Sequence, residues 1–395
     1  MRNGMLLPPV RPLPAAAAEL RSQVREFLAA ERAAGRFVPA CDAWLSGWDE
    51  SFSRRLGDRG WVGMTIPAEY GGHGRSAVER YVVVEELLAA GAPVAAHWIS
   101  DRQVGPNLLR YGSEALKQRY LPAIARGACY FAIGLSEPDA GSDLAAVRTT
   151  GTRVDGGWTV SGTKIWTSGA HRAHALIVLV RTGPPDGRHR HVGLSQLLIE
   201  LDQPGVTIRP IISMTGEHHF NEVVFGDVFV PDAQLVGTIG DGWAQVTSEL
   251  AYERSGPERL LSTFVLLDTL AGELASRTGG SRGDSRAGDS RAAEAVGRVV
   301  SRLYSCRQMS LAVAGALADG AAPEIAAALV KDVGTRLECE IIEVARMLTA
   351  AGPDPDGDGI ARLLAQAILH APGFTLRGGT NEILRGIVAR GLALR

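Results

Sequence analysis

The chain has 395 residues, 46% of them hydrophobic, with 41 Lys and Arg against 43 Asp and Glu and a formal net charge of −2. That balance provides no basic face for nucleic acid and no polybasic patch for a membrane, so neither partner is expected. Single cores stop growing near about 250–300 residues, so two or three domains are expected.

Cys41, Cys129, Cys306 and Cys339 lie far apart with no Cys-x-x-Cys. This argues against a zinc site and against a disulfide framework. No metal is expected, and reduced thiols point to a cytoplasmic protein. The segment Met1–Leu20 carries four prolines and an alanine run without a continuous apolar core, unlike a signal peptide. The strongest apolar run, Leu176–Val180, is too short to cross a bilayer.

Residues 1–128 read as an N-terminal helical domain. Ser113 is a good N-cap, Glu114 sits in the first turn, Leu116, Tyr120 and Ile124 recur at helical spacing, and Gly127 ends the pattern. Arg80–Ala90 also reads as helix. From 129 to 235 the character changes to strands at Trp158–Ser161, Ala175–Val180, Leu194–Glu200 and Glu222–Val230, separated by turn clusters. Their close spacing predicts an antiparallel sandwich or barrel. Residues 236–395 read as helices again, interrupted by the Gly/Ser/Arg/Asp tract Ser276–Arg291 and by Gly352–Gly359, both expected to be loops and the first to be mobile. The order is all-α, all-β, all-α.

Familiar catalytic motifs are missing: the chain has no G-x-S-x-G, no Walker A loop and no H-E-x-x-H. Gly237-Thr-Ile-Gly240-Asp-Gly242 lacks the full spacing of a nucleotide loop, and His218-His219 reads as a loop or core pair. Three segments are more informative. In Leu135-Ser-Glu-Pro-Asp-Ala-Gly-Ser-Asp143 the small residues Ala140, Gly141 and Ser142 allow close approach of a ligand to the backbone, and the Ser142 hydroxyl with free N–H groups suits a pyrophosphate. A tight turn between domains fits the same composition. In Gly162-Thr-Lys-Ile-Trp166-Thr167-Ser168 an indole and a hydroxyl share one strand face, suited to a flat ring and its polar edge, or simply to a half-buried Trp. Arg377-Gly378-Gly379-Thr380 leads into a helical pattern, so its N–H groups suit a carbonyl or phosphate, or a plain hinge and cap.

Together and in this order, these segments resemble the acyl-CoA dehydrogenase family. Supporting matches are Gly60-Trp-Val-Gly63, Pro67-Ala-Glu-Tyr-Gly-Gly72, Lys117-Gln-Arg-Tyr-Leu-Pro122, Phe220-Asn-Glu-Val-Val-Phe225 with Val230-Pro231, and Gly242-Trp243. The resemblance implies an α+β multidomain fold: an N-terminal helical domain, a middle antiparallel β-domain and a C-terminal four-helix bundle. It implies FAD, held by Leu135, Ser136, Gly141, Ser142, Trp166 and Ser168, with Thr380 and Glu382 close to it. It also implies α,β-dehydrogenation of an acyl thioester on CoA or a carrier protein. A carboxylate takes the α-proton, a hydride passes to flavin N5, and a backbone N–H polarises the carbonyl. Electrons pass to an electron-transfer flavoprotein or another acceptor.

Many family members place the catalytic Glu where this chain has Gly378, whose backbone N–H alone survives. A second family solution places the base on the first long helix of the C-terminal region, which matches here at Glu253. The residues support this independently: Val246, Leu250, Glu253, Pro257, Leu260 and Phe264 form an apolar stripe that includes Glu253. Desolvation there is expected to raise its pKa, and Pro257 to bend the helix. The alternative is a structural glutamate paired with Arg254, a residue otherwise assigned to substrate binding. The Arg-x-x-Phe-Gly and Gly-Gly-x-Gly stretches of many members are not recognisable. The chain is expected to form a homodimer or homotetramer, or to pair with a non-identical subunit. Two rival readings share the fold: a flavin oxygenase and a non-catalytic partner subunit.

Overall fold

The structure, a computed structural model, describes residues 6–187, 189–278, 286–321 and 323–394. Helices come first: α1 (Ala15–Ala33), α2 (Ala43–Ser46), α3 (Glu50–Asp58), α4 (Ala77–Ala89), α5 (Ala95–Ile99), α6 (Gly105–Tyr111) and α7 (Glu114–Ala125). One π-helical turn, Ser100–Val104, separates α5 from α6. Eight strands follow: β1 (Phe131–Gly134), β2 (Thr150–Val154), β3 (Gly157–Ser168), β4 (Ala175–Arg181), β5 (Leu194–Glu200), β6 (Val206–Ile212), β7 (His218–Pro231) and β8 (Leu235–Val236). The chain then returns to helix with α8 (Gly242–Ser255), α9 (Phe264–Thr278), α10 (Arg286–Ala318), α11 (Glu324–Leu348), α12 (Gly359–Phe374) and α13 (Asn381–Gly391).

The chain forms two compact units. One contains Trp48–Ser76 and Val94–Glu253; the other contains the residues up to Gly47, Ala77–Pro93 and the residues from Arg254 on. The helices that precede the first strand are therefore shared between both units.

The first unit is built on one hydrogen-bonded sheet of order β6-β7-β3-β2-β4-β5-β8, with β1 beside β4. Most pairings are antiparallel, as expected, but β1 and β2 both pair with β4 in parallel. The apolar run of β4 is fully buried because it is covered on both faces, with Ile177 in one cluster and Leu176, Val178 and Val180 in another. The Ile177 cluster includes Leu116, Tyr120 and Ile124 of α7, the helix whose N-cap Ser113 accepts the Leu116 N–H at 3.3 Å. β1, β2 and β8 escape sequence reading because they are short or lack an apolar alternation, and β6, though seven residues long, has no buried residue to mark it. β2 shows only Gly151 buried and is defined by its partners rather than by its own side chains.

In the second unit α9, α10, α11 and α12 pack as the four-helix bundle, with Leu266, Leu270, Val299, Val313, Val330, Leu337, Ile341 and Leu364 among its buried residues. α4 is buried around its girth from Tyr81 to Leu88. Its acids Glu85 and Glu86 are tolerated because Arg21 reaches both, Arg25 pairs with Glu86 and Arg307 pairs with Glu85. Both ends of the expected loop Ser276–Arg291 are helical, one closing α9 and the other opening α10. Ala and Arg are strong helix formers, and an existing helix extends cheaply. Residues 279–285 of that tract lie outside the described residues.

A buried ion pair fastens the C-terminal end of α12. Arg377 donates two 2.6 Å hydrogen bonds to Asp42, and its guanidinium lies 4.3 Å from the Trp44 ring centroid. Burial alone would raise the Asp42 carboxyl; the Arg377 charge and hydrogen bonds hold it below the ordinary carboxylate range. Removing one partner leaves a buried charge without compensation. Asp42→Ala is expected to lower unfolding free energy by about 3–5 kcal/mol in chemical denaturation, far more than the loss of an exposed ion pair such as Arg298–Glu294.

Candidate active site

In the β-containing unit, two of the three informative segments lie side by side. Ser136 accepts the Ile165 N–H at 2.9 Å, so the loop after β1 runs against the end of β3. Lys164, fully buried at 0% exposure, ties the two together. Its Nζ donates to the Leu135 carbonyl at 3.0 Å and to Glu137 at 2.8 Å. Glu137 also accepts the N–H groups of Arg148 and Thr149, at 2.7 and 2.9 Å. Burial opposes the Glu137 charge, but Lys164 and these donors hold its carboxyl below the usual range. Gly141 and Ser142 are exposed on this loop, and nothing lies within 4 Å of where a Gly141 Cβ would stand.

Trp166 does not sit on a regular strand. The β3–β7 register shifts between Lys164 and Thr167, and Trp166 adopts φ +59°, a left-handed conformation that is costly for a bulky residue. Its indole is 56% exposed, with Phe220 edge-on at 5.7 Å. Asn221, fully buried, holds the bulge by donating to the Thr167 carbonyl at 2.9 Å. A strained residue with a large exposed ring, locked by a buried amide, is a feature of binding sites. Ser168 is half-buried beyond it.

On α8 the expected apolar stripe ends early. The helix stops at Ser255, and Pro257 opens a separate 3-10 turn, so the expected bend is a break. The Glu253 carbonyl is reached instead by an Arg102 Nη at 3.5 Å, from the π-helical turn. Glu253 itself is half-buried. The deep carboxyl is Glu249, one turn earlier and 4% exposed. Gln196 of β5 donates to its Oε1 at 2.8 Å, and Asn107 of α6 donates to the same oxygen. Burial pushes the Glu249 carboxyl up to about 8; the Glu253 charge adds to the rise, and the two amides oppose it. The desolvation expected at Glu253 therefore falls mainly on Glu249.

In the bundle-containing unit the third segment forms the turn between α12 and α13. Gly378 and Gly379 have φ of +70° and +89°. Arg254 is buried, and its Nε donates to the Gly378 carbonyl at 3.0 Å. A Cβ on Gly379 would meet Arg254 Nη2 at 3.1 Å. Thr380 caps α13 by accepting the Ile383 N–H at 3.4 Å, and Glu382 lies exposed in the first turn. Glu253 belongs to one unit, and Gly378, Thr380 and Glu382 to the other. Sequence reasoning did not single out Lys164, Glu137, Asn107, Gln196 or Lys331. Lys164 and Glu137 left a signal, a charge inside each quoted segment; the others left none.

A carboxyl whose folded pKa is raised binds its proton more tightly in the native state. Its contribution to stability is complete below the unfolded value, near 4.5, and is lost as pH rises toward about 8. Glu249→Gln removes this titration. Its melting temperature relative to wild type is expected to rise between pH 5 and pH 8.5, as read by thermal denaturation across that range. A pH-independent difference would show that Glu249 is ionised throughout.

Comparison with known proteins agrees with this architecture. Models of the acyl-CoA dehydrogenase N-terminal, middle and C-terminal domains match residues 14–128, 132–228 and 240–393. Acyl-CoA dehydrogenase IpdE1 of Mycobacterium tuberculosis is 34% identical over 384 residues, covering 94% of this chain and 96% of that protein. Acyl-CoA dehydrogenase FadE29 of the same organism is 34% identical over 343 residues, covering 85% of this chain and 86% of that protein. Among solved structures, the Tcur3481–Tcur3483 steroid ACAD superposes with TM-score 0.84 at 29% identity, covering 97% of this chain and 99% of that one. The ChsE4–ChsE5 complex of Mycobacterium tuberculosis gives 0.81 at 29% identity, with the same coverage of 97% and 99%. With the helix–strand–helix order, the bulged Trp166 and three matching domains in sequence, the chain belongs to the acyl-CoA dehydrogenase family of flavin oxidoreductases.

Proposed function

We propose that this protein dehydrogenates the α,β carbon–carbon bond of an acyl thioester, with Glu253 as the general base. One observation carries the assignment: two carboxyls one turn apart on α8 occupy opposite environments. Glu249 is buried between two amides and is pushed up to about 8, so it holds a proton at neutral pH. Glu253, half-buried one turn later, is the less desolvated of the two. A deeply buried carboxyl beside a less buried one suits a division into a neutral member and a base.

The cofactor is FAD, and the residues present fit it. The exposed Trp166 ring offers a flat apolar surface. Ser136, Ser142 and Ser168 offer hydroxyls, the Leu135–Ser142 loop is held rigid from below by Lys164, and Gly141 is unobstructed on its outer side. The family resemblance adds Thr380 and Glu382 as positions close to the cofactor. FAD, when bound, supplies the acceptor for the β-hydride. This chain's residues do the rest. Glu253 removes the α-proton, and the Gly378 N–H polarises the thioester carbonyl and so acidifies that proton. Arg254, buried against Gly378, serves the substrate through that turn. The reduced enzyme passes its electrons to an electron-transfer flavoprotein or another acceptor.

Two further points rest on the neighbours. The structure at TM-score 0.84 is a steroid ACAD, so steroid-derived acyl thioesters lead the substrate panel. It and the ChsE4–ChsE5 complex each combine two proteins, which favours a second reading in which this chain works with a non-identical subunit. Among the described residues no helix is long and apolar enough to cross a membrane, all four cysteines are free thiols, and we place the protein in the cytoplasm.

Anaerobic bleaching of the flavin by a panel of acyl-CoAs tests the reading. Glu253→Gln is expected to slow flavin reduction by about 10²–10⁴, with FAD content unchanged. Adding Gly378→Glu to that variant restores part of the rate if a carboxylate there reaches the same proton. Bleaching at the wild-type rate by Glu253→Gln overturns the assignment. Trp166→Ala is expected to weaken FAD binding by about threefold to tenfold, the range for one aromatic contact, as measured by titration of apoprotein with FAD. Unchanged affinity would remove Trp166 from the cofactor site.

A further inference from the structure

The turn between α12 and α13 is held from beneath by one buried ammonium ion. Lys331 lies on α11 with 0% of its surface exposed. Its Nζ donates to the Gly379 carbonyl at 2.8 Å, to Asn381 Oδ1 at 2.8 Å and to the Thr375 carbonyl at 3.3 Å. Lysine presents three donors at one point, and the three acceptors come from both ends of the same turn. Burying an ammonium ion costs several kcal/mol unless its donors are used. A leucine or methionine would fill a core position of a bundle helix without that cost.

The turn needs such a tie. Two successive glycines at positive φ lose more conformational entropy on ordering than any other pair of residues. Among the described residues, no acceptor takes the N–H of Gly378 or Gly379. Peptide planarity makes a tied carbonyl directional, because the C=O of one residue and the N–H of the next point opposite ways. With the Gly378 carbonyl on Arg254 and the Gly379 carbonyl on Lys331, the N–H groups of Gly379 and Thr380 face away from the cations, and Gly378 itself is bracketed by the Lys331 ties at Thr375 before it and Gly379 after it.

We propose that Lys331 is a positioning residue for the reaction, holding the turn on both sides of Gly378 so that the Gly378 N–H stays where it meets the thioester carbonyl. The inference rests on the assignment of the Gly378 N–H to that carbonyl. It predicts a loss of carbonyl polarisation without loss of cofactor.

Cinnamoyl-CoA is a suitable probe, because polarising its conjugated carbonyl moves its absorption to longer wavelength. The holoenzyme is expected to red-shift it. Lys331→Met, with FAD content and melting temperature checked first, is expected to lose at least half of that shift. Its kcat for flavin reduction should fall about 10–100-fold, while the Kd for cinnamoyl-CoA stays within about threefold. If Lys331→Met does not retain FAD, Lys331→Gln, which keeps two donors without the charge, is judged by the same shift. A folded, FAD-containing variant with the full wild-type shift overturns the inference. Absence of any shift in wild type overturns the Gly378 assignment and the inference with it, an outcome distinct from failure of the variant alone.

Discussion

The carbonyls of a turn that leaves the regular ladders of helix and sheet still need donors when the turn is buried. In this protein long cations meet that requirement in both compact units. Lys164 reaches the Leu135 carbonyl beneath the loop after β1, and Lys331 reaches Thr375 and Gly379 beneath the turn after α12. Both ammonium groups are fully buried. Each converts a glycine-rich or proline-containing segment, which would otherwise sample many conformations, into a rigid edge. Groups borne on such segments, hydroxyls in one case and backbone N–H groups in the other, are carried on backbone that a buried cation holds from below.

The same logic of satisfaction explains the division of labour on α8. Glu249 has amides rather than a cation around its Oε1. Amide donors stabilise a carboxyl without repaying the full cost of a buried charge, so the proton stays. Arg102, reaching the Glu253 carbonyl from the π-helical turn, takes up an acceptor at the broken end of the helix. A π-turn is rare and costly, and it often appears where a side chain has to be aimed.

Much of the fold was legible without coordinates. Local patterns settled the helix–strand–helix order: the 3.6-residue period and Ser113 cap of α7, the apolar run of β4 and the Gly/Pro clusters between strands. Such signals are carried by residues within a few positions of each other. The segments around Ser142, Trp166 and Gly378 also stood out, because paired glycines, small hydroxyl residues and an isolated indole are locally distinctive. The short strands were not. Their residues take strand conformation because a neighbouring strand offers hydrogen bonds, and β1 and β2 both owe their parallel pairing to β4.

The site depended on tertiary structure wherever burial or a distant partner decides the chemistry. The sequence placed Glu253 in an apolar stripe, yet the deeply desolvated acid is Glu249, whose partners Asn107 and Gln196 stand 142 and 53 positions away. It presented Trp166 as an ordinary strand residue, whereas a bulge locked by Asn221 turns the indole outward. It marked Gly378 and Gly379 as a permissive turn but gave no sign of Lys331, 48 residues earlier than Gly379, as the group that holds the Gly379 carbonyl. Residue type and local spacing determined which elements form and which segments can meet a ligand. Packing alone determined which carboxyl is deeply desolvated and which carbonyls of the turn meet a buried cation, because desolvation and hydrogen bonding act between residues that only folding brings together.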